Sequence, residues 1–266
     1  MKEMLDGMER KVCFSNTPRR IISLCPSITE TLYELGLDDL VVGRTSYCIH
    51  PEEKVKGATV IGGTKQVDVN LIRELKPDLI VTDKEETPKE VAEALMEEFP
   101  LFIFDVQNYN HALKMIDVLG EITNQEEKAK SMVSSIEEEF AFLPGVDNNR
   151  VAYLIWRKPY MAAAKNTFIS AMLDKCGFYN VLLDHKEERY PAVTAEELRE
   201  LDLDYLFLST EPFPFSEEHK NELKSELPGV NIVFVDGQSF SWYGAKMEKA
   251  GRYFRSMIET IKRADL

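Results

Sequence analysis

A chain of 266 residues, 44% hydrophobic and 29% charged, is long enough to bury one large core or two smaller ones. Acidic residues outnumber basic ones 46 to 32, and the net charge of -14 argues against a nucleic-acid binder, which needs a basic face. No apolar run approaches the roughly 18 residues of a helical membrane span, so a transmembrane protein is not expected.

The N-terminal stretch MKEMLDGMERKVCF carries acidic residues where a secretory signal has its apolar core. The sequence as it stands therefore reads as cytoplasmic, and as periplasmic or lipid-anchored if a leader has been removed. Ile21 to Leu24 follows as a short apolar strand that Pro26 breaks, and Ser27-Ile28-Thr29-Glu30 has the S-x-x-E spacing of a capping box. A helix is expected over 28–35, with the Ser27 hydroxyl on its free N–H groups and Gly36 as its left-handed C-terminal residue. That accounts for the turn as structure and leaves Ser27 no nucleophile's task.

Further strands are expected at Val41–Gly43, Leu79–Thr82 and Leu101–Asp105, with helices near 69–75, 87–97 and 109–119. Gln125 to Leu143 has no internal Gly or Pro and sets Met132, Ile136, Phe140 and Leu143 along one side. The spacing predicts one helix of roughly 27 Å at 1.5 Å per residue, long enough to bridge two lobes. Pro144-Gly145 ends it, and a polar Asp147-Asn148-Asn149 turn leads on. Beyond it, strands at Val151–Ile155, Tyr205–Ser209 and Ile232–Val235 alternate with helices near 167–175, 195–201, 216–226 and 244–262. This alternation is the grammar of parallel sheets covered by helices, and divides the chain into an N-terminal α/β lobe (1–108), a linker with the long helix (109–147) and a C-terminal α/β lobe (148–266).

One segment repeats: residues 67–81, VDVNLIRELKPDLIV, match 193–207, VTAEELRELDLDYLF, element by element. Each copy reads as cap, two-turn helix, sharp turn and buried strand, and Thr194 with Glu197 forms a second capping box. Either any αβ unit looks like this, or the two halves are related copies.

No phosphate loop, dinucleotide fingerprint, nucleophile elbow or zincin motif is present, so those enzyme classes lose their usual supports. Cys13, Cys25, Cys48 and Cys176 show no metal-ligand spacing and read as free thiols, with Cys25 and Cys176 in apolar settings. His50, His111, His185 and His219 are not paired at a ligand spacing. Aromatic residues remain: Tyr47, Trp156, Tyr160, Phe213, Phe215, Trp242 and Tyr243 fall on loops after strands or before the last helix. Open α/β sheets bind ligands outside the carboxyl ends of their strands, and several rings on such loops suit a flat, partly apolar ligand. Phe213 and Phe215 serve equally well as plugs of the seam between lobes.

RIISLCPSITETLYELGLDDLVVGRTSYCIHP, IGGTKQVDVNLIRELKPDLIVT and YPAVTAEELRELDLDYLFLS together resemble the iron-complex and cobalamin substrate-binding proteins of ABC importers, most closely the cobalamin binders, over about residues 17–262. The resemblance implies two three-layer α/β/α lobes with mainly parallel sheets, joined by one long rigid helix, with a ligand cleft between them. It places Tyr47, Gly62, Gly63, Thr64, Trp156 and Trp242 on the cleft wall, with Tyr160 and Tyr243 beside them. It implies docking on an importer permease through an acidic residue near the start of each repeated helix, a place held by Glu196 in the second copy and by Asn70 in the first. GGTK is a further departure, since an aromatic sits there in the cobalamin binder most resembled.

The expectation is a monomeric, non-catalytic binding protein for a corrinoid, haem or iron-siderophore, with no catalytic residues, no metal site and no intrinsic cofactor. Arg44, Arg157, Lys158 and Lys165 are the only candidate cations for an anionic siderophore, which ranks corrinoid or haem-like ligands above it. Two other readings stand beside it. One is a cytoplasmic metal or cofactor-handling protein of the same fold with no transporter, and the other is an enzyme using His50, Ser27 or Glu211 in the cleft.

Overall fold

The computed structural model describes residues 2–146, 149–184 and 186–264; Asp147 and Asn148 of the expected turn, and His185, lie outside them. The chain divides into two compact units, the first made of Met1–Val106, Asn110–Ser135 and Trp242–Lys246, the second of Gln107–Tyr109, Ile136–Ser241 and Met247–Leu266.

The first unit opens with a hairpin of β1 (Lys2–Leu5) and β2 (Lys11–Phe14), whose turn is closed by Asp6 accepting the N–H groups of Met8 and Arg10 at 2.9 and 3.0 Å. Then come β3 (Ile21–Ser23), α1 (Pro26–Glu34), β4 (Val41–Arg44), β5 (Thr59–Val60), α2 (Val69–Leu75), β6 (Leu79–Asp83), α3 (Lys89–Met96) and β7 (Leu101–Phe104). The strands form a parallel sheet in the order β5-β4-β3-β6-β7. β3, β6 and β7 are buried at every residue, which is why they read as unbroken apolar runs and not as alternating ones. Ile22, Leu24, Ile61, Ile72, Ile80 and Leu95 lie at the centre of this core.

α4 (Tyr109–Thr123) and α5 (Glu126–Ala141) follow, separated at Asn124, which takes a left-handed φ of 56°. α5 has 16 residues, about 24 Å, slightly shorter at its C-terminal end than the spacing predicts, and the division between units falls within it, after Ser135.

The second unit contains β8 (Arg150–Trp156), β9 (Tyr160–Ala162), α6 (Phe168–Lys175), β10 (Tyr179–Asn180), β11 (Ala192–Val193), α7 (Ala195–Glu200), β12 (Tyr205–Ser209), α8 (Glu217–Glu226), β13 (Asn231–Val235) and α9 (Gly237–Ser241), then α10 (Lys246–Ala264). Its sheet runs β11-β9-β8-β12-β13, with β10 beside β8. β8, β10, β12 and β13 are parallel, and β9 and β11 join antiparallel at one side. β9, β10 and β11 have two or three residues each, too few for a periodicity to show in the sequence. Of the C-terminal half, residues 242–246 group with the first unit.

The start of α1 differs from the sequence reading. Cys25 is its N-cap without a side-chain bond and Pro26 opens the first turn, so Pro26 begins the helix where a capping box on Ser27 was expected. Ser27 instead accepts the backbone N–H of Tyr243 at 3.3 Å. Gly36 does take the left-handed conformation, with φ 78°. The four cysteines are free thiols, three buried and Cys13 exposed.

Candidate functional site

In the first unit the chain passes from β3 to β4 on one side and later to β6 on the other, so the strand order reverses between β3 and β6. Such a switch point opens a crevice at the carboxyl ends of the strands, where sheets of this kind take ligands. Here the crevice holds the protein's own Tyr243. Its hydroxyl lies 3.3 Å from the Cys25 sulfur and donates to Asp83, the last residue of β6. Asp83 is 2% exposed and also accepts the N–H groups of Glu85 and Val106 at 2.8 and 3.3 Å.

Burial pushes the Asp83 carboxyl up to about 7, against the opposing pull of the Tyr243 and Val106 bonds. The Cys25 thiol and Tyr243 phenol are likewise raised, by burial first and by nearby acidic groups second. A thiol held protonated is no nucleophile. The segment is pinned further by Ala245 donating to the Thr31 hydroxyl at 3.0 Å, and Gly244, at φ 76°, approaches that hydroxyl so closely that a side chain would collide with it. Trp242, 9% exposed, meets the His50 ring edge-on at 5.4 Å.

Beside this filled crevice lies an open groove of about 730 Å³, lined by residues 46–47 and 62–68. The Tyr47 ring, 61% exposed, stands on its wall. The wall is firm because Arg44 donates to the carbonyls of Val55, Thr45 and Cys48 at 2.7, 3.2 and 3.1 Å, and Ser46 donates to the Gly62 carbonyl at 2.7 Å. The floor is a tight loop in which Gly62 bridges Val67 and the Gly63 N–H reaches the Gln66 carbonyl at 2.9 Å. Thr64 is buried and bonds Glu86, while the Lys65 ammonium sits on the carbonyls of Glu85 and Glu86 at 2.5 and 3.0 Å.

In the second unit Trp156 ends β8 and is 42% exposed, its ring edge-on to Phe213 at 5.7 Å. Phe213 rests on Phe215 at 4.9 Å, and Phe215 belongs to the core, so both phenylalanines brace Trp156 from within this unit. Tyr160 donates to Glu222 at 3.3 Å, and Arg157 pairs with the same carboxylate at 2.5 Å, lowering its pKa.

Of the four cations considered for an anionic ligand, Arg44 is held by carbonyls, Arg157 by Glu222 and Lys165 by Glu187 at 2.8 Å, while Lys158 is exposed. Glu196 is exposed in the first turn of α7. Asn70 is also exposed, but its side-chain oxygen accepts from Arg73 at 2.7 Å, and Arg73 in turn pairs with Glu98 at 2.6 Å. His219 accepts the Ser216 N–H at 3.0 Å as a helix cap. Sequence reasoning missed Asp83, whose only sign is an acid closing the apolar strand LIVTD.

A two-unit α/β chain with parallel sheets and rings on the loops beyond its strands is the build of the bilobal binding proteins. The chain belongs to the periplasmic binding protein family, whose sequence model matches residues 21–231. An uncharacterized ABC transporter substrate-binding lipoprotein of Bacillus subtilis is 33% identical over 139 residues, a match covering 50% of this chain and 43% of that protein. A vitamin B12-binding protein of Pectobacterium atrosepticum is 23% identical over 191 residues, covering 68% of each. Among solved structures, the periplasmic vitamin B12 binding protein of Vibrio cholerae superposes with a TM-score of 0.76 at 20% identity, covering 92% of this chain and 98% of that one. The periplasmic catecholate-siderophore binding protein of the same organism gives 0.78 at 15% identity, covering 97% and 99%. These likenesses establish the two-lobe fold. Among the described residues no helix is long and apolar enough to cross a membrane.

Proposed function

We propose that this chain is a non-catalytic substrate-binding protein of an ABC-type importer, and that its ligand is a metal chelate, a corrinoid before haem or an anionic siderophore. The groove under Tyr47 carries this reading. A ring 61% exposed on a braced wall, over a floor of glycine backbone without side chains, offers a flat apolar face and room to a flat ligand. Lys65 is the one cation among the described residues lining that groove, and two carbonyls already hold it. Asp68 also lines the groove and the Lys65 charge acts on the Glu86 carboxylate, so carboxylates or catecholates would find no net positive charge there, whereas the neutral amide fringe of a corrin needs none.

The Bacillus and Pectobacterium relatives support this reading through their names, a substrate-binding lipoprotein and a vitamin B12-binding protein. Glu196, exposed at the start of α7, supports docking on a permease. Titration with cyanocobalamin, dicyanocobinamide and haemin, followed by absorbance and calorimetry, tests the ligand class. Saturable binding of the corrinoids, tighter than of haemin, is expected; a folded protein that binds none of the three would remove corrinoids and haem as its ligand class.

One observation favours a second reading, in which the same fold handles a cofactor without a transporter. Asn70 stands where an acid is required for docking, and it is tied to Arg73 and through it to Glu98. Fractionation of the native host decides between them, since only an exported protein reaches a permease from outside.

A further inference from the structure

The two glycines of the groove floor are glycines for different reasons. At Gly62 the backbone requires one: φ is 118°, a conformation that side chains rarely adopt, and a Cβ would fall inside contact distance of the Gln66 carbonyl oxygen. Nothing in the backbone makes the same demand at Gly63. It is not among the residues of positive φ, and the only heavy atom near a Cβ built there is Cε2 of Tyr47, at 3.4 Å, an ordinary contact with a side chain that is largely in solvent.

Glycine at such a position raises the entropy of the unfolded chain and returns nothing to the fold. What the missing side chain does leave is room, on the floor of a groove of about 730 Å³ and directly beside the exposed ring. The neighbouring Thr64 is buried and bonded to Glu86, and Lys65 is anchored on two carbonyls, so neither side chain is placed to fill that room.

Resting on the corrinoid reading, we infer that Gly63 is a specificity-determining residue: its bare backbone sets the size of chelate that lies against Tyr47, and admits a bulky corrinoid with its nucleotide arm. A side chain grown from position 63 would project between the Tyr47 ring and the groove floor and occupy the ligand's place. Larger guests lose more by this than smaller ones, because they depend on more of the groove.

The test compares wild type, Gly63→Ala and Gly63→Phe, each titrated with cyanocobalamin and with dicyanocobinamide, a corrin lacking the nucleotide arm. Thermal melting of the ligand-free proteins is the control for folding. Expected are unchanged or higher melting temperatures for Gly63→Ala, cobalamin affinity falling from wild type through Ala to Phe by at least about tenfold in all, and a smaller loss for cobinamide. Cobalamin binding by Gly63→Phe equal to wild type would overturn the inference. So would equal losses for the two corrinoids, which would make Gly63 a general contact, or a lower melting temperature for Gly63→Ala, which would make this glycine structural. If the folded wild type binds neither corrinoid, the corrinoid reading and this inference fall together.

Discussion

Asp83 is a carboxyl at the end of a buried strand, 2% exposed, whose pKa burial raises from 3.8 to about 7. Between those two values the folded chain holds a proton that the unfolded chain has already lost. The proton-linked stability is therefore fully present below about pH 4, is lost as pH rises through 7, and stays lost above it. A gap of about three pKa units corresponds to roughly 4 kcal/mol at most. Asn cannot ionise, but its single amide oxygen keeps only one of two acceptors, because Glu85 N–H bonds Oδ1 and Val106 N–H bonds Oδ2. The effect of Asp83→Asn on stability is expected to be more favourable at pH 8 than at pH 4 by up to about 4 kcal/mol, with the lost bond costing about 1 kcal/mol at both, read from urea denaturation at the two values. An equal effect at both would show that ionisation of Asp83 is not the cause. The sequence shows an acid after LIVT but not the phenol and thiol that surround it, because Cys25 and Tyr243 approach from far along the chain.

The repeated αβ segment is where the sequence was most legible, and its hydrogen bonds match as its residues do. Asp68 caps α2 by accepting the Leu71 N–H at 3.0 Å, and Thr194 caps α7 by accepting the Glu197 N–H at 3.1 Å, with the Glu197 carboxylate returning to the Thr194 N–H at 2.8 Å. Each helix ends in a left-handed residue, Lys76 at φ 46° and Asp202 at φ 51°. An aspartate then accepts an arginine N–H from the head of the neighbouring strand, Asp78 from Arg20 at 2.8 Å and Asp204 from Arg150 at 2.7 Å. Both guanidiniums also reach the last carbonyl of their helix segment, at Leu75 and Leu201. A generic αβ unit does not require that pairing, so the two halves are best described as copies of one plan. Local chemistry of this kind is written in adjacent residues. The α1 cap was misread because Ser27 and Glu30 satisfy the local spacing while the Tyr243 N–H takes the Ser27 hydroxyl. Thr194→Ala removes one cap and should lower stability by about 1 kcal/mol, with Thr194→Ser restoring it, as denaturant midpoints at constant m-value would show. Full stability in Thr194→Ala would mean that the box contributes nothing beyond what water supplies.

At the scale of the whole molecule, a binding protein is stabilised by its cargo, because the folded chain binds it and the unfolded chain does not. At a free ligand concentration of 100 times Kd the linkage is about 2.7 kcal/mol, which for a chain of this size raises the melting temperature by several degrees. Tyr47 and Trp156, 61% and 42% exposed, are the rings with the most surface to lose on binding. Each fully covered ring supplies about 1.5–3 kcal/mol, about tenfold or more in affinity. Tyr47→Ala and Trp156→Ala are each expected to weaken cyanocobalamin binding at least about tenfold and to remove about half or more of its thermal shift, while the ligand-free melting temperature stays near wild type. Trp156 has a stake in packing through Phe213, so Trp156→Phe serves as the control that keeps an apolar ring on that contact. Recovery of the shift in Trp156→Phe would assign the loss to ring burial. A full shift in either alanine variant would remove that ring from the ligand's surroundings, and a full shift in both would leave the aromatic faces of this chain to packing alone.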